Sequence, residues 1–124
     1  MKTLELSVTV SPRYLVEHSD PARRQYVFAY TIRITNTGSE PAQLISRHWT
    51  ITDGEQAVQE VRGLGVVGQQ PLLKPGESFE YTSGCPLSTP VGSMRGTYHC
   101  VGEDGTPFEA LIPEFVLSMP RTLH

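Results

Sequence analysis

A chain of 124 residues with a formal net charge of −3 has room for one hydrophobic core, and nothing in its charge balance would hold a polyanion. Neither the basic stripe of a generic nucleic-acid binder nor the polybasic cluster of a membrane-surface anchor is present, so neither nucleic acid nor membrane insertion is expected. Eleven glycines and ten prolines are scattered along the chain with no helical periodicity between them, which predicts many short strands and turns.

The start of the chain reads Met1-Lys2-Thr3-Leu4-Glu5-Leu6, and Glu5 interrupts any apolar leader. No apolar run approaches the ~18 residues of a membrane-crossing helix. Cys85 and Cys100 are too few for a disulfide framework and are expected as free thiols in a reducing cytoplasm.

Leu4, Leu6, Val8 and Val10 alternate with Glu5, Ser7 and Thr9, the pattern of a half-buried strand. Pro12 confines any continuation through Tyr14 to a sheet edge. His18-Ser19-Asp20-Pro21 reads as a turn, flanked by the solvated Arg23 and Arg24. Tyr26, Phe28, Tyr30, Ile32 and Ile34 then share one face of the clearest strand in the chain. Asn36-Thr37-Gly38-Ser39 reads as a turn because Asn and Gly accept positive φ cheaply.

The next strand spans Ala42 to Thr52, with Ile45, Arg47, Trp49 and Ile51 on one side and Ser46, His48 and Thr50 on the other. Asp53-Gly54 is a hairpin signal. A short strand over 58–62 leads into the glycine-rich segment Gly63-Leu64-Gly65-Val66-Val67-Gly68. Lys74-Pro75-Gly76-Glu77 has the composition of a type II turn. Phe79 and Tyr81 open another strand, and Ser83 to Thr89 is expected to be irregular because Gly84, Pro86 and Pro90 oppose regular pairing. Met94, Gly96, Tyr98 and Cys100 mark a late central strand. Phe108, Ala110 and Ile112 return beside it, a bulge is expected at Pro113, and the tail from Ser118 to His124 is expected to fray. Seven or more strands at intervals near ten residues predict an all-β fold of two stacked antiparallel sheets.

Five groups of residues together resemble the bacterial ApaG (CorD) family. They are Ser46-Arg47-His48-Trp49, Gly63 through Pro71, Leu73-Lys74-Pro75-Gly76-Glu77, Phe79 through Gly84, and Pro86 through Pro90. The resemblance extends through Met94 to Tyr98 and Ile112 to Phe115, and so covers nearly the whole chain as one ApaG domain, residues 1–124. It implies an immunoglobulin-like, fibronectin type III-like sandwich. It also implies a use as an interaction module, because related domains sit in F-box proteins and in a DNA-polymerase-delta-interacting protein. It brings genetic links to cobalt resistance and magnesium efflux, a frequent neighbourhood with a dinucleoside tetraphosphatase and an rRNA dimethyltransferase, and no established enzymatic activity.

The Gly63–Gly68 segment matches the GxGxxG spacing of dinucleotide sites, yet Gln69-Gln70-Pro71 and Pro75 follow where a helix would have to open. Glycines that permit bulges, bends or close approach are the simpler reading. A weaker functional reading is an anion nest for a nucleotide, phosphate or pyrophosphate, formed by Gly63, Gly65 and Gly68 with Arg62 and Lys74. Arg47 and His48 are a second candidate, as an interaction surface beside a core Trp49. The histidines His18, His48, His99 and His124 show no metal-ligand spacing, Ser83 lies in no nucleophile elbow, and the carboxylates are dispersed. No cofactor, metal or catalytic set is therefore expected, and the preferred reading is a non-enzymatic module with protein partners. Direct divalent-metal binding stands as a third class.

Overall fold

The computed structural model describes residues 2–120, and in them the protein is two antiparallel sheets stacked face to face. Eight strands follow in order: β1 (Leu6–Tyr14), β2 (Tyr26–Asn36), β3 (Ala42–Asp53), β4 (Val58–Leu64), β5 (Leu72–Leu73), β6 (Ser78–Leu87), β7 (Val91–Gly102) and β8 (Pro107–Ser118). Two short 3-10 turns, Val16–His18 and Pro21–Arg23, join β1 to β2. One sheet has the order β1-β2-β6. The other has β4-β3-β7-β8, with β5 beside β4 on the same edge of β3.

Period-two alternation builds the interior. Phe28, Ile32 and Ile34 of β2 face Leu44 and Trp49 of β3, Met94, Tyr98 and Cys100 of β7, and Ala110, Ile112 and Leu117 of β8, in one buried cluster. Each large apolar side chain so buried contributes about 1.5–3 kcal/mol. Trp49 stacks edge-on against Tyr30 and Phe115, with ring centroids 5.3 Å and 6.0 Å away.

Two bulges correct simple alternation. Leu44 pairs with Cys100 but Ser46 pairs with His99, so Ile45 is an extra residue in β3. The inward side chains are therefore Ala42 and Leu44 before the bulge and Arg47 and Trp49 after it, and the expected place of Ile45 on the Trp49 face is overturned. In β8, Ile112 pairs with Gly96 and Phe115 with Met94, which puts the second bulge at Pro113–Glu114 as the proline suggested.

The segment expected to be irregular after Ser83 is also corrected. β6 continues in register to Leu87, with Pro86 opposite Val27. Val27 directs its carbonyl to the Leu15 N–H and its N–H to Ser19 Oγ, away from β6. The ring nitrogen of Pro86 thus falls on the outer side of an edge strand, where no ladder donor is needed. Ser83 and Cys85 are accordingly strand residues rather than turn residues. Of the tail expected to fray, Ser118 is the last residue of β8, Met119 and Pro120 have no regular structure, and residues 121–124 lie outside the described residues.

The turn after β2 forms for another reason than positive φ. Neither Asn36 nor Gly38 adopts it. Asn36 is buried and ties three segments together: its amide donates to the Glu40 and Leu73 carbonyls at 2.8 and 2.9 Å, and its Oδ1 accepts the Gly38 N–H at 2.8 Å. Gly38 is a glycine because a Cβ there would lie 2.3 Å from the Thr3 carbonyl oxygen.

Candidate functional site

The glycine segment is a strand end and a hairpin. Gly63 and Leu64 close β4, and the chain then reverses through Val66-Val67-Gly68-Gln69, where Val66 and Gln69 exchange both backbone bonds at 2.8 and 2.9 Å. The central residues have φ of +44° at Val67 and +78° at Gly68, the signature of a type I′ turn. No helix follows, so the segment lacks the geometry of a dinucleotide fingerprint.

Each glycine meets a separate demand. A Cβ on Gly63 would lie 2.8 Å from Arg47 Cζ, because the guanidinium lies across this position. Gly65 has φ +63°, and a Cβ on it would meet the Gln69 carbonyl oxygen. Gly68 has open space around it and is required only by its backbone angle. The N–H groups of Gly65, Val66 and Gln69 already donate to the carbonyls of Ile45, Gln69 and Val66.

The residues singled out by sequence separate into three places. Arg47 turns inward. Its Nη1 donates to the Leu64 and Gly65 carbonyls at 3.0 and 2.8 Å, so it clamps the glycine segment. His48 and Arg62 pair across β3 and β4 on the outer face of the larger sheet, where His48 Nε2 lies 3.1 Å from Glu60 Oε1. Lys74 stands just beyond Leu73, opposite the start of β3, roughly 20 Å by strand rise from Gly63 opposite Arg47.

Two features escaped the sequence reading. One is a cleft between the sheets, open where the β4 edge and the β6 edge lie side by side. Tyr30, Arg47, Trp49, Tyr81 and Ser83 line it beneath Val67 and Gly68, with a volume of about 280 Å³. A second hollow of about 240 Å³ continues from it and shares Tyr30, Arg47, Trp49 and Ser83, with Ile51, Val61, Cys85 and Met94 as further walls. Tyr81, a wall of the first hollow, bonds through its hydroxyl to that of the fully buried Tyr98 at 2.5 Å. Burial raises the Tyr30, Tyr81 and Tyr98 phenols, Tyr81 to about 12, while the charge of Arg47 opposes the rise. Burial likewise pushes the Cys85 thiol up to about 11 and Cys100 to about 12, so neither is an activated thiolate. Both cysteines are free.

The other feature is the outer face of the five-stranded sheet. Val58, Leu64, Leu72, Leu111 and Val116 all stand on it exposed, Leu64 at 74% and Leu111 at 73%. Between the two edges lie Arg62, Arg95 and two histidines beside carboxylates, His48 with Glu60 and His99 with Glu109. The outer face of the smaller sheet is different: Thr31 bonds Thr82, Thr35 bonds Ser78, and Arg33 pairs with Glu80. An aliphatic at an outward position, such as Leu111 between Ala110 and Ile112, was the available signal in the sequence.

Among the described residues no group of three or more His, Cys, Asp or Glu side chains is placed to hold a metal, and no helix is long and apolar enough to cross a membrane. The ApaG domain model matches residues 16–102. Protein ApaG of Bordetella pertussis is 75% identical over 124 residues, spanning 100% of this chain and 95% of the relative. Protein ApaG of Ralstonia nicotianae is 66% identical over the full length of both. A crystal structure described as that of an ApaA protein from Bordetella pertussis superposes with a TM-score of 0.94 at 75% identity, covering 98% of each chain. The family match and the near-complete superposition agree with the fold derived above, and the chain belongs to the ApaG family.

Proposed function

We propose that the chain is a non-enzymatic binding module that docks an apolar surface of a protein partner on the outer face of its five-stranded sheet. The observation that carries this reading is the asymmetry between the two outer faces. Five large aliphatic side chains are exposed on one, and hydroxyl and ion pairs cover the other. The exposed aliphatics stand on the two edges of this face, Val58, Leu64 and Leu72 on one and Leu111 and Val116 on the other, with polar residues of β3 and β7 between them, and exposed apolar side chains on one face alone mark an interaction surface. The same face holds Arg62 and His48 in the cross-strand row that ends on Leu111, so polar contacts are available between the two apolar edges. On this reading the module works in the cytoplasm, and the family's connection to cobalt resistance and magnesium efflux runs through the partner.

Photo-crosslinking inside the native cell tests it. A benzophenone amino acid at position 64 or 111 should give one reproducible protein adduct, and the same probe at position 82 should give none. Leu111→Glu in the presence of the position-64 probe should abolish the adduct while leaving the fold intact by circular dichroism. Equal adducts from position 82, or adducts insensitive to Leu111→Glu, would overturn the proposal.

A further inference from the structure

We propose that the cleft between the two sheets is a binding site for a small organic acid, its carboxylate seated on Arg47 and its apolar body laid against Trp49. This site is separate from the outer face and does not depend on it.

Arg47 is the reason to expect an anion. Its Nη1 is occupied by two carbonyls, but Nε and Nη2 have no bond within the described protein, and no carboxylate pairs with it among the described residues. A half-buried guanidinium without a counter-charge is an unfavourable arrangement that a bound anion relieves. The Leu64 and Gly65 carbonyls and the bare Gly63 fix its plane, so the remaining N–H groups are pre-oriented for a carboxylate. The Tyr30 hydroxyl and Ser83 line the cleft beside it and can donate to a second carboxylate oxygen.

The rest of the cleft selects the body of the ligand. Beyond Arg47 the walls are mainly Trp49, Ile51, Val61, Cys85 and Met94, with Gln59 among them, and they suit an aryl or short alkyl group. The combined space is that of a small ligand pocket. A single guanidinium favours a monoanion. A phosphate dianion would call for more donors, yet Arg62 lies on the outer face, Lys74 is far along the sheet edge, and the N–H groups of Gly65 and Val66 are already bonded. Val67, exposed at the rim and held at φ +44°, is a β-branched residue in a conformation it rarely adopts, and it places an apolar group over the cleft mouth.

Phenylacetate and the neutral phenylacetamide make the discriminating pair of probes. Trp49, the only tryptophan, lines both hollows and reports by fluorescence, while amide NMR shifts report position. Phenylacetate should bind saturably with Kd on the order of 1–10 mM, as befits so small a molecule. Its shifts should cluster at residues 47–49, 66–68 and 81–84, and phenylacetamide should bind at least about tenfold more weakly. Arg47→Met should remove binding. Because Arg47 also clamps the glycine hairpin, Tyr30→Phe and Ser83→Ala serve as variants that leave the clamp in place, and each should weaken phenylacetate several-fold. Equal binding of the two probes, shifts centred on Leu64 and Leu111, or no saturable response up to about 20 mM would overturn the proposal.

Discussion

Gly63→Ala tests whether Arg47 and the glycine segment form one unit. Gly63 sits in β4 without positive φ, so propensity alone predicts that alanine stabilises the strand by about 0.5–1 kcal/mol. The structure predicts the opposite pull. The new Cβ would stand 2.8 Å from both Cζ and Nη2 of Arg47 and 2.9 Å from Nη1. A guanidinium is the far end of a flexible side chain and can leave, but leaving breaks its bonds to the Leu64 and Gly65 carbonyls. Charge-assisted bonds contribute about 1.5–3 kcal/mol each when dry. These carbonyls can recover water, so the loss is nearer 1–2 kcal/mol in all. The decisive quantity is the coupling in a double-mutant cycle with Arg47→Ala, measured by urea unfolding with Trp49 fluorescence. Gly63→Ala should be 1–2 kcal/mol worse with Arg47 present than with it absent, at about unchanged m. A coupling below about 0.5 kcal/mol would refute the claim that Gly63 is a glycine on account of Arg47.

Other consequences follow from single positions. Asn36→Ala deprives two carbonyls and one N–H of their partners and should lower stability by about 3 kcal/mol, seen as a lower urea midpoint without a change in slope. Gln56 has φ +67° in the hairpin after β3, so Gln56→Gly should raise stability by about 1 kcal/mol in the same assay. Gly96→Ala should be severely destabilising, by more than about 2 kcal/mol, because its Cβ would meet the His48 carbonyl oxygen at 2.4 Å. Cys85, Cys100 and Tyr81 are all raised by burial, so the unfolded chain ionises first. Stability should hold below about pH 9 and fall as pH rises towards 11–12, by about 1.4 kcal/mol per pH unit for each group. Melts at pH 8, 10 and 11 check the sign, and a flat profile would contradict the burial of these groups.

Alternation made most of the sandwich legible, because each strand buries one face and a side chain's parity gives its side. It failed where one residue was added. Nothing in Leu44-Ile45-Ser46 announces a bulge, since Leu and Ile fit the core equally well, and only pairing with β7 decides between them. Pro86 misled in the opposite direction: a proline argues against a ladder, but not on the outer side of an edge strand, and the sequence does not say which strand is last in its sheet. Asn36 was read as a turn former and is instead a buried fastener, because its partners Glu40 and Leu73 come from segments whose proximity is a tertiary fact. The cleft was illegible for the same reason. Tyr30, Arg47 and Ser83 lie on three strands from two sheets, and no local spacing records that β4 and β6 end up as adjacent edges.

Arg47 and His48 show how one strand serves two surfaces. They are consecutive, so β geometry sends them to opposite sides of the same sheet: Arg47 under the glycine hairpin, His48 beside Arg62 and Glu60 in the open. A substitution at 48 or 111 therefore alters the outer face without entering the cleft, and one at Tyr30 or Ser83 alters the cleft without reaching the outer face. The two surfaces share only the backbone of β3 and β4 and the clamp from Arg47 to the Leu64 and Gly65 carbonyls. Leu64 is the point of contact between them, offering its side chain to the outer face and its carbonyl to Arg47. The shortest route for an influence of a cleft ligand on partner docking accordingly runs through Leu64. That influence should disappear in Arg47→Met, which loses both the ligand and the tie to that carbonyl, while the docking of partner to the ligand-free module persists.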